Sequence, residues 1–209
     1  TSAFSKAWFL AHLREARGRI YDRVRILADY TGALVLGSLF ILTLPLFAAA
    51  IRISSPGPVF FKQRRVGRLG REFTIYKYRT MQALTGSGSA ELNGPQFAAA
   101  NDARVTPLGR VLRRTRLDEW PQVINIARGE MSFIGPRPER PEFVAQLTAK
   151  VPFYALRLLV KPGLTGWAQI NKSYYGTIDE NLFKLEYDLY YIKNRNPLLD
   201  AVIVLRTVN

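Results

Sequence analysis

From Tyr30 to Ile51 the chain runs 22 residues without a charge, mostly Leu, Ala, Val, Ile and Phe. As one helix such a run is about 33 Å long, enough to cross a hydrocarbon core of about 30 Å. It is too long, and starts too far into the chain, for a cleaved signal peptide. A fully buried soluble helix is the other way to hide it. Both flanks are basic: Arg14, Arg17, Arg19, Arg23 and Arg25 precede the run, and Arg52, Lys62, Arg64, Arg65, Arg68 and Arg71 follow it. Cytoplasmic flanks carry the excess of Lys and Arg, so a spanning helix would have to translocate one basic flank. A helix that enters the membrane and returns to the same face would not. Pro45, about two-thirds of the way along, removes a backbone hydrogen bond and bends a helix, and Thr43 or Ser38 could take a carbonyl that the bend frees. The residues favour a re-entrant helix, with a kinked spanning helix as the alternative.

The 209 residues suffice for one domain with a real core, and 48% hydrophobic against 22% charged residues excludes a wholly disordered chain. The absence of cysteine rules out disulfide scaffolds, zinc fingers, iron–sulfur sites and thiol nucleophiles. The single histidine, His12, sits in a basic stretch near the N-terminus, which argues against a Ser-His-Asp relay and against a multi-histidine metal site. Thirty basic against 16 acidic residues, a net charge of +14, call for an anionic partner: nucleic acid, an anionic membrane surface or a phosphorylated substrate.

Residues 1–28 read as a basic amphipathic helix on a membrane surface, or as a solvated one. Ser54-Ser55-Pro56-Gly57-Pro58 ends the helical pattern. Strands are expected over Val59–Lys62 and Glu72–Met81, joined through Gly67 and Gly70. Alternation in the second puts Phe73, Ile75, Lys77, Arg79 and Met81 on one face and Thr74, Tyr76, Tyr78 and Thr80 on the other. Lys77 and Arg79 in apolar company point toward an anion, against the alternative of a solvated strand face. Leu84–Ala100 reads as a mobile loop. Helices are expected over Leu108–Leu117, after Pro121, over Glu142–Val160 with a break at Pro152, and over Asp179–Ile192. Gly135 to Pro141, with three prolines, excludes regular structure, and Lys161 to Gly166 reads as a rigid turn.

Between Arg52 and Arg116 there are 13 basic residues against Glu72, Glu91 and Asp102. Leu117-Asp118-Glu119-Trp120-Pro121-Gln122 then sets two adjacent carboxylates at the end of this basic run. A helix capped by Asp118 would carry Pro121 at its third position and hold both acids at its positive end, where anions bind and a carboxylate nucleophile stays ionised. The same residues also make a plain N-cap with an exposed glutamate. Arg137 among its prolines could simply pair with Glu139 or Glu142, and Lys161 before Pro162 could be a turn residue.

Five segments occur in order: Ser55-Pro56-Gly57-Pro58-Val59-Phe60-Phe61, Tyr76-Lys77-Tyr78-Arg79-Thr80-Met81, Arg116 to Gln122, Gly129-Glu130-Met131 through Gly135-Pro136-Arg137-Pro138-Glu139, and Lys161-Pro162-Gly163-Leu164-Thr165-Gly166-Trp167-Ala168-Gln169. With them the chain resembles, from about Arg25 to Asn209, the bacterial sugar transferases, the monotopic polyprenyl-phosphate phosphoglycosyl transferases, and within them the hexose-1-phosphate transferases that initiate exopolysaccharide and O-antigen synthesis. The resemblance implies transfer of a sugar-1-phosphate from a UDP-sugar to undecaprenyl phosphate through a covalent aspartyl phosphosugar, with release of UMP. It implies a re-entrant helix in the bacterial inner membrane and a catalytic domain facing the cytoplasm. Asp118 matches the family's nucleophile and Glu119 the carboxylate that helps hold Mg²⁺. Arg137 matches a phosphate-binding arginine and Lys77 a lysine of the active-site strand; Arg79, Lys161 and Gln169 complete the substrate-binding candidates. The sequence departs from the family where Leu44-Pro45 stands for Ser-Pro and where Asn101-Asp102-Ala103-Arg104 stands for Asn-Asp-Pro-Arg.

The expected fold is therefore α+β: an N-terminal re-entrant membrane helix and amphipathic interface helices packed with a small catalytic domain that contains a β-hairpin. The expected divisions are a juxtamembrane segment over 1–28, the membrane helix over 29–53 and the catalytic domain over 54–209. Expected partners are the UDP-sugar, undecaprenyl phosphate and membrane lipid, with a homodimer possible and no nucleic acid. Two other readings fit the charge. A nucleic-acid binder with aromatic residues among its arginines would be soluble and bind with salt-sensitive affinity, and a membrane scaffold without chemistry would tolerate replacement of Asp118 and Glu119.

Overall fold

The computed structural model describes residues 19–83, 102–171 and 178–208. The loop expected over 84–100 and most of the basic N-terminal segment lie outside the described residues. Helices and short strands mix in an α+β arrangement that forms two compact units. One comprises the chain up to Tyr30, Arg65–Phe73 and Gly129–Asn209; the other comprises Thr31–Arg64 and Thr74–Arg128.

Helix α1 spans Arg19–Ser54, 36 residues, and its helical path continues through Pro45. Ile20–Ser54 is long and apolar enough to cross a membrane. Most of it has no protein cover: Leu34, Val35, Ile41, Leu42 and Leu46 are exposed, whereas Ala33, Phe40 and Ile51 are buried along a narrow seam. In water such a face would be an aggregation surface, so a lipid environment accounts for it better than a soluble core does. Ser38 donates to the Leu34 carbonyl and Thr43 to those of Leu39 and Phe40. Neither takes the Ile41 carbonyl, which lies four residues before Pro45, so these hydroxyls do not fill the role expected of them.

Strands β1 (Phe60–Val66) and β2 (Glu72–Tyr78) form a two-stranded sheet, with Phe60–Arg64 and Thr74–Tyr78 in the unit that holds most of α1 and Arg65, Val66, Glu72 and Phe73 in the other. Their short connection permits only a hairpin. β1 runs four residues further than expected and β2 stops three residues earlier. Both faces of β2 are covered, since Ile75 and Tyr78 are each buried although they alternate. Tyr78 stacks on Phe60 at 5.8 Å and on Phe47 of α1 at 5.2 Å between ring centroids. Helix α2 (Pro107–Arg114) is capped by Thr106, whose hydroxyl accepts from the Gly109 amide at 2.9 Å. A 3₁₀ segment, Leu117–Gln122, leads directly into helix α3 (Val123–Ala127).

The other unit is built on a short parallel pair, β3 (Ser132–Ile134) and β4 (Gly163–Thr165), with Ser132 opposite Gly163 and Ile134 opposite Thr165. The Lys161–Gly166 segment is thus partly strand rather than a turn. Helix α4 (Pro141–Lys150) and a 3₁₀ segment (Tyr154–Leu159) match the expected helix with its break at Pro152. Helices α5 (Trp167–Asn171), α6 (Ile178–Asn194) and α7 (Pro197–Val208) follow. Ile134, Val160, Tyr191, Ile192 and Ile203 form one core cluster of this unit, and Val66, Val144, Val151, Tyr154 and Leu185 a second.

The first turns of α1 belong to this unit and are held by polar contacts. Tyr21 and Tyr191 both donate to Asp200, at 2.7 and 2.9 Å. Arg25 bonds the Ser132 hydroxyl at 3.0 Å, and the buried Asp29 accepts from Ser132 and from the Phe133 amide. Ile20, Val24 and Leu27 face outward. These turns hold Arg25 and Asp29 against protein and present Ile20, Val24 and Leu27 outward, the reverse of a soluble surface helix.

Candidate active site

In the unit that comprises Thr31–Arg64 and Thr74–Arg128, the backbone at Arg116 sets the geometry of the two acids. Arg116 adopts the left-handed region, φ 57°, and turns the chain between α2 and the 3₁₀ segment. Asp118 and Glu119 then fall in the first turn of that segment. Asp118 is therefore not the N-cap that Pro121 led us to expect; Arg116 occupies that place. The acids still lie at the N-terminal, electropositive end of a helical run that continues to Ala127.

Lys77 of β2 reaches Glu119, with Nζ 2.5 Å from Oε1 and the side chains 15% and 16% exposed. A charge-assisted contact at this depth is stronger than a surface ion pair. The neighbours of both partners are anchored in one aromatic group: Tyr78, beside Lys77, stacks on Phe47, and Trp120, beside Glu119, meets the edge of the same ring at 6.1 Å. Asn125, fully buried, ties α3 to β2 by donating to the Thr74 carbonyl at 2.7 Å and accepting from the Tyr76 amide at 3.3 Å. Arg113 of α2 donates to the Thr80 hydroxyl at 2.8 Å. The described residues of this unit carry eleven lysines and arginines against three carboxylates, Asp102, Asp118 and Glu119. Of these, Asp102 is taken by Arg104, whose hydrogen bonds hold its carboxyl down to about 2. The field around Asp118 and Glu119 is strongly positive and suits phosphate groups.

Arg79 is placed otherwise than the strand pattern predicts. It is 3% exposed, and its guanidinium donates to the carbonyls of Ser55 and Pro56, with that of Ile51 at the limit of bonding. Those carbonyls close the C-terminal end of α1, where a cation is favoured. The physical reason is that β2 ends at Tyr78, so face alternation no longer governs residue 79. Arg79 is a clamp between the end of the apolar helix and the chain that leaves β2.

Arg137, Lys161 and Gln169 belong to the other unit. Gly135 closely faces β4: its amide donates to the Thr165 carbonyl at 2.8 Å, while Gly163 donates to the Pro136 carbonyl at 2.9 Å. A side chain on Gly163 would lie 2.1 Å from the Gly135 nitrogen, so only glycine allows this approach. Arg137 follows at once, half-buried, in a stretch that is neither helix nor strand. Lys161, half-buried, precedes Pro162, whose carbonyl accepts from the Ser132 amide at 2.9 Å. Gln169 of α5 donates to the Leu164 carbonyl at 3.1 Å, and its Oε1 is buried with no hydrogen-bond partner among the described residues.

Under Arg137 lies a group the sequence did not single out. Arg157 and Asp188 form a buried pair, with Nη2 2.8 Å from Oδ2. Lys184 bonds Glu139, and Arg65 lies 3.7 Å from the same carboxylate. Burial alone would raise the Glu139 carboxyl, but Lys184, Arg157 and Arg65 hold it down to about 2. The four-residue spacing of Lys184 and Asp188 on one helix face was the available signal.

Among the described residues no group of three or more His, Asp or Glu could cage a metal ion. Asp118 and Glu119 still fit magnesium by donor chemistry: it takes hard oxygens, keeps several waters, and is commonly held by one or two carboxylates together with substrate phosphates.

Comparison with known proteins bears on the family of the chain. The family model described as bacterial sugar transferase matches residues 20–209. The UDP-N-acetylgalactosamine-undecaprenyl-phosphate N-acetylgalactosaminephosphotransferase of Aeromonas hydrophila is 43% identical over 189 residues, 90% of this chain and 44% of that protein. The UDP-glucose:undecaprenyl-phosphate glucose-1-phosphate transferase of Caulobacter vibrioides is 41% identical over 190 residues, 89% of this chain and 68% of that protein. The enzyme of the same name from Escherichia coli (strain K12) is 41% identical over 163 residues, 77% of this chain and 34% of that protein. The chain thus spans less than half the length of the Aeromonas and Escherichia proteins.

Proposed function

This chain belongs to the bacterial sugar transferase family, and from that premise we propose that it transfers a hexose-1-phosphate from a UDP-hexose to undecaprenyl phosphate at the cytoplasmic face of the inner membrane. The observation that carries the reading is the Lys77–Glu119 pair beside Asp118, in a unit whose described residues carry eleven cations against three carboxylates. Relatives named for N-acetylgalactosamine and for glucose match at nearly equal identity, so the proposal covers the hexose class.

Chemistry proceeds in two displacements at phosphorus. The Asp118 carboxylate attacks the β-phosphorus, the bond from that phosphorus to the bridging oxygen breaks, and the oxygen departs with its electron pair as UMP. The hexose phosphate remains on Asp118 as an acyl phosphate. An oxygen of undecaprenyl phosphate then attacks the same phosphorus, and Asp118 leaves as a carboxylate. No proton needs to move in either step, which suits a site without histidine.

The barrier is electrostatic. A carboxylate 4 Å from one phosphate charge is repelled by roughly 4 kcal/mol at an effective dielectric constant near 20. Lys77, held at Glu119, supplies fixed positive charge where the diphosphate must lie, and such charge costs no reorganisation during reaction. Glu119 would hold Mg²⁺, which when bound adds positive charge to the diphosphate. Arg137 would bind a phosphate in bidentate fashion, so Arg137→Lys should cost more than charge counting implies. The anchor places these groups where the lipid acceptor resides. We read α1 as bent at Pro45 and returning to the cytoplasmic face, supported by the basic residues on both flanks and by a helix of about 54 Å, longer than a straight crossing needs.

The test is UMP release in detergent from a panel of UDP-hexoses, with undecaprenyl phosphate and Mg²⁺ present. One donor giving lipid-dependent turnover is expected. A panel without turnover, run beside an active relative as control, would overturn the reading.

A further inference from the structure

Residues 135–140 are irregular, and Pro136 and Pro138 have no amide hydrogen to donate, so something other than secondary structure must orient Arg137. Three successive carbonyls of this stretch are each taken by a different donor. Arg157 Nη2 donates to the Arg137 carbonyl at 2.8 Å, Arg65 Nη1 to that of Pro138 at 2.9 Å, and the Val66 amide to that of Glu139 at 2.9 Å. The donors are themselves fixed. Arg157 Nε and Nη2 lie 2.9 and 2.8 Å from Asp188 Oδ2, its guanidinium covers the Tyr154 ring, and Lys184, one turn before Asp188 on α6, holds Glu139.

Arg157 and Asp188 side chains are each 2% exposed. Burying an ion pair this deeply contributes little net stability, and an apolar pair of similar volume often does as well. A role beyond stability is therefore called for.

We propose that Arg157, fixed by Asp188, is a positioning residue that holds the Arg137 main chain so that the Arg137 side chain is presented to a phosphate group of substrate. The inference rests on the function proposed above. Arg157 need not touch substrate; it acts through the carbonyl of the residue that does.

The test uses the full chain in detergent and UDP as the probe, which separates binding from turnover. Arg157→Met with Asp188→Leu removes both charges together and keeps the packing volume. Arg157→Lys keeps one charge, but its single nitrogen cannot serve both Asp188 and the Arg137 carbonyl. For both variants the expected results are a melting midpoint near wild type, faster amide exchange over 133–140, and UDP affinity weakened tenfold or more. The Michaelis constant for the sugar nucleotide should rise by the same factor while kcat changes less than threefold. Wild-type exchange and UDP affinity in a folded variant, with Arg137→Ala weakened, would overturn the positioning role alone. Unchanged affinity in Arg137→Ala itself would overturn the assignment of Arg137 and this proposal with it. Should the double variant fail to fold, Arg157→Lys carries the same readouts and decides the matter.

Discussion

Replacing Gly163 by alanine should remove much of the stability of the unit that carries Arg137. The new methyl carbon would stand 2.1 Å from the Gly135 nitrogen, 2.4 Å from the Thr165 carbonyl oxygen and 2.6 Å from the Ile134 carbonyl carbon. The Ile134 and Gly135 atoms are main chain in and just after β3 and cannot swing aside, so β3 and β4 must part by more than an ångström to reach ordinary contact. That separation breaks the hydrogen bonds Ser132 N to Pro162 O, Gly135 N to Thr165 O and Gly163 N to Pro136 O, now 2.8–2.9 Å long. Each buried bond lost leaves groups that cost about 1–2 kcal/mol, so the substitution should cost about 3–6 kcal/mol. At about 2–4 °C per kcal/mol for a chain of this size, the melting midpoint should fall by at least about 6 °C. Gly70→Ala is the control: nothing lies within 4 Å of the new methyl, but φ is +77°. It should cost only the left-handed strain of about 1–2 kcal/mol. Thermal unfolding of both variants in the same detergent decides it. Equal shifts would mean that backbone conformation, not the closeness of the two strands, sets the requirement for glycine.

Arg79→Met should destabilise by about 3 kcal/mol, because the Ser55 and Pro56 carbonyls lose a charged donor, and should speed tryptic cleavage at Arg52. An unmoved melting midpoint with a raised Michaelis constant for the sugar nucleotide would instead return Arg79 to the substrate. Acid should act through Glu139. Its carboxyl is held at about 2 against 4.5 for the free side chain, so its stabilisation is complete above pH 4.5 and is lost as pH falls toward 2. The shift corresponds to about 3 kcal/mol. Urea unfolding at pH 5 and pH 3 should show a smaller acid loss in Glu139→Gln than in wild type, and identical losses would remove Glu139 from the account.

Local signals carried the larger elements. The uncharged run announced α1, the break at Pro152 separated α4 from its 3₁₀ continuation, and Glu72 to Tyr78 had the alternation of a strand. What escaped depended on partners distant in sequence. β4 is three residues long and pairs with a strand about thirty residues earlier, so Pro162-Gly163 read as a turn. α7 escaped because its apolar run, Ala201 to Leu205, has no charge alternation to mark a face. Arg79 looked like a partner for phosphate because its acceptors lie 23–28 residues upstream at the end of α1. Pro121 located the acidic pair in a first helical turn but could not reveal that Arg116 takes the left-handed conformation ahead of it. The Arg157–Asp188 pair escaped because its two members sit on separate elements, the 3₁₀ segment and α6, so the Lys184–Asp188 spacing marked a helix face without naming its partner.

The central claim is that Asp118 forms a bond to the donor's phosphorus. It is tested most directly by mass spectrometry of the intact protein after incubation with its UDP-hexose, without undecaprenyl phosphate. The account predicts a hexose-phosphate adduct that maps to the peptide containing Asp118, is discharged by adding the lipid acceptor, and is absent from Asp118→Asn. An adduct on another residue, or near wild-type turnover by Asp118→Asn, would contradict it.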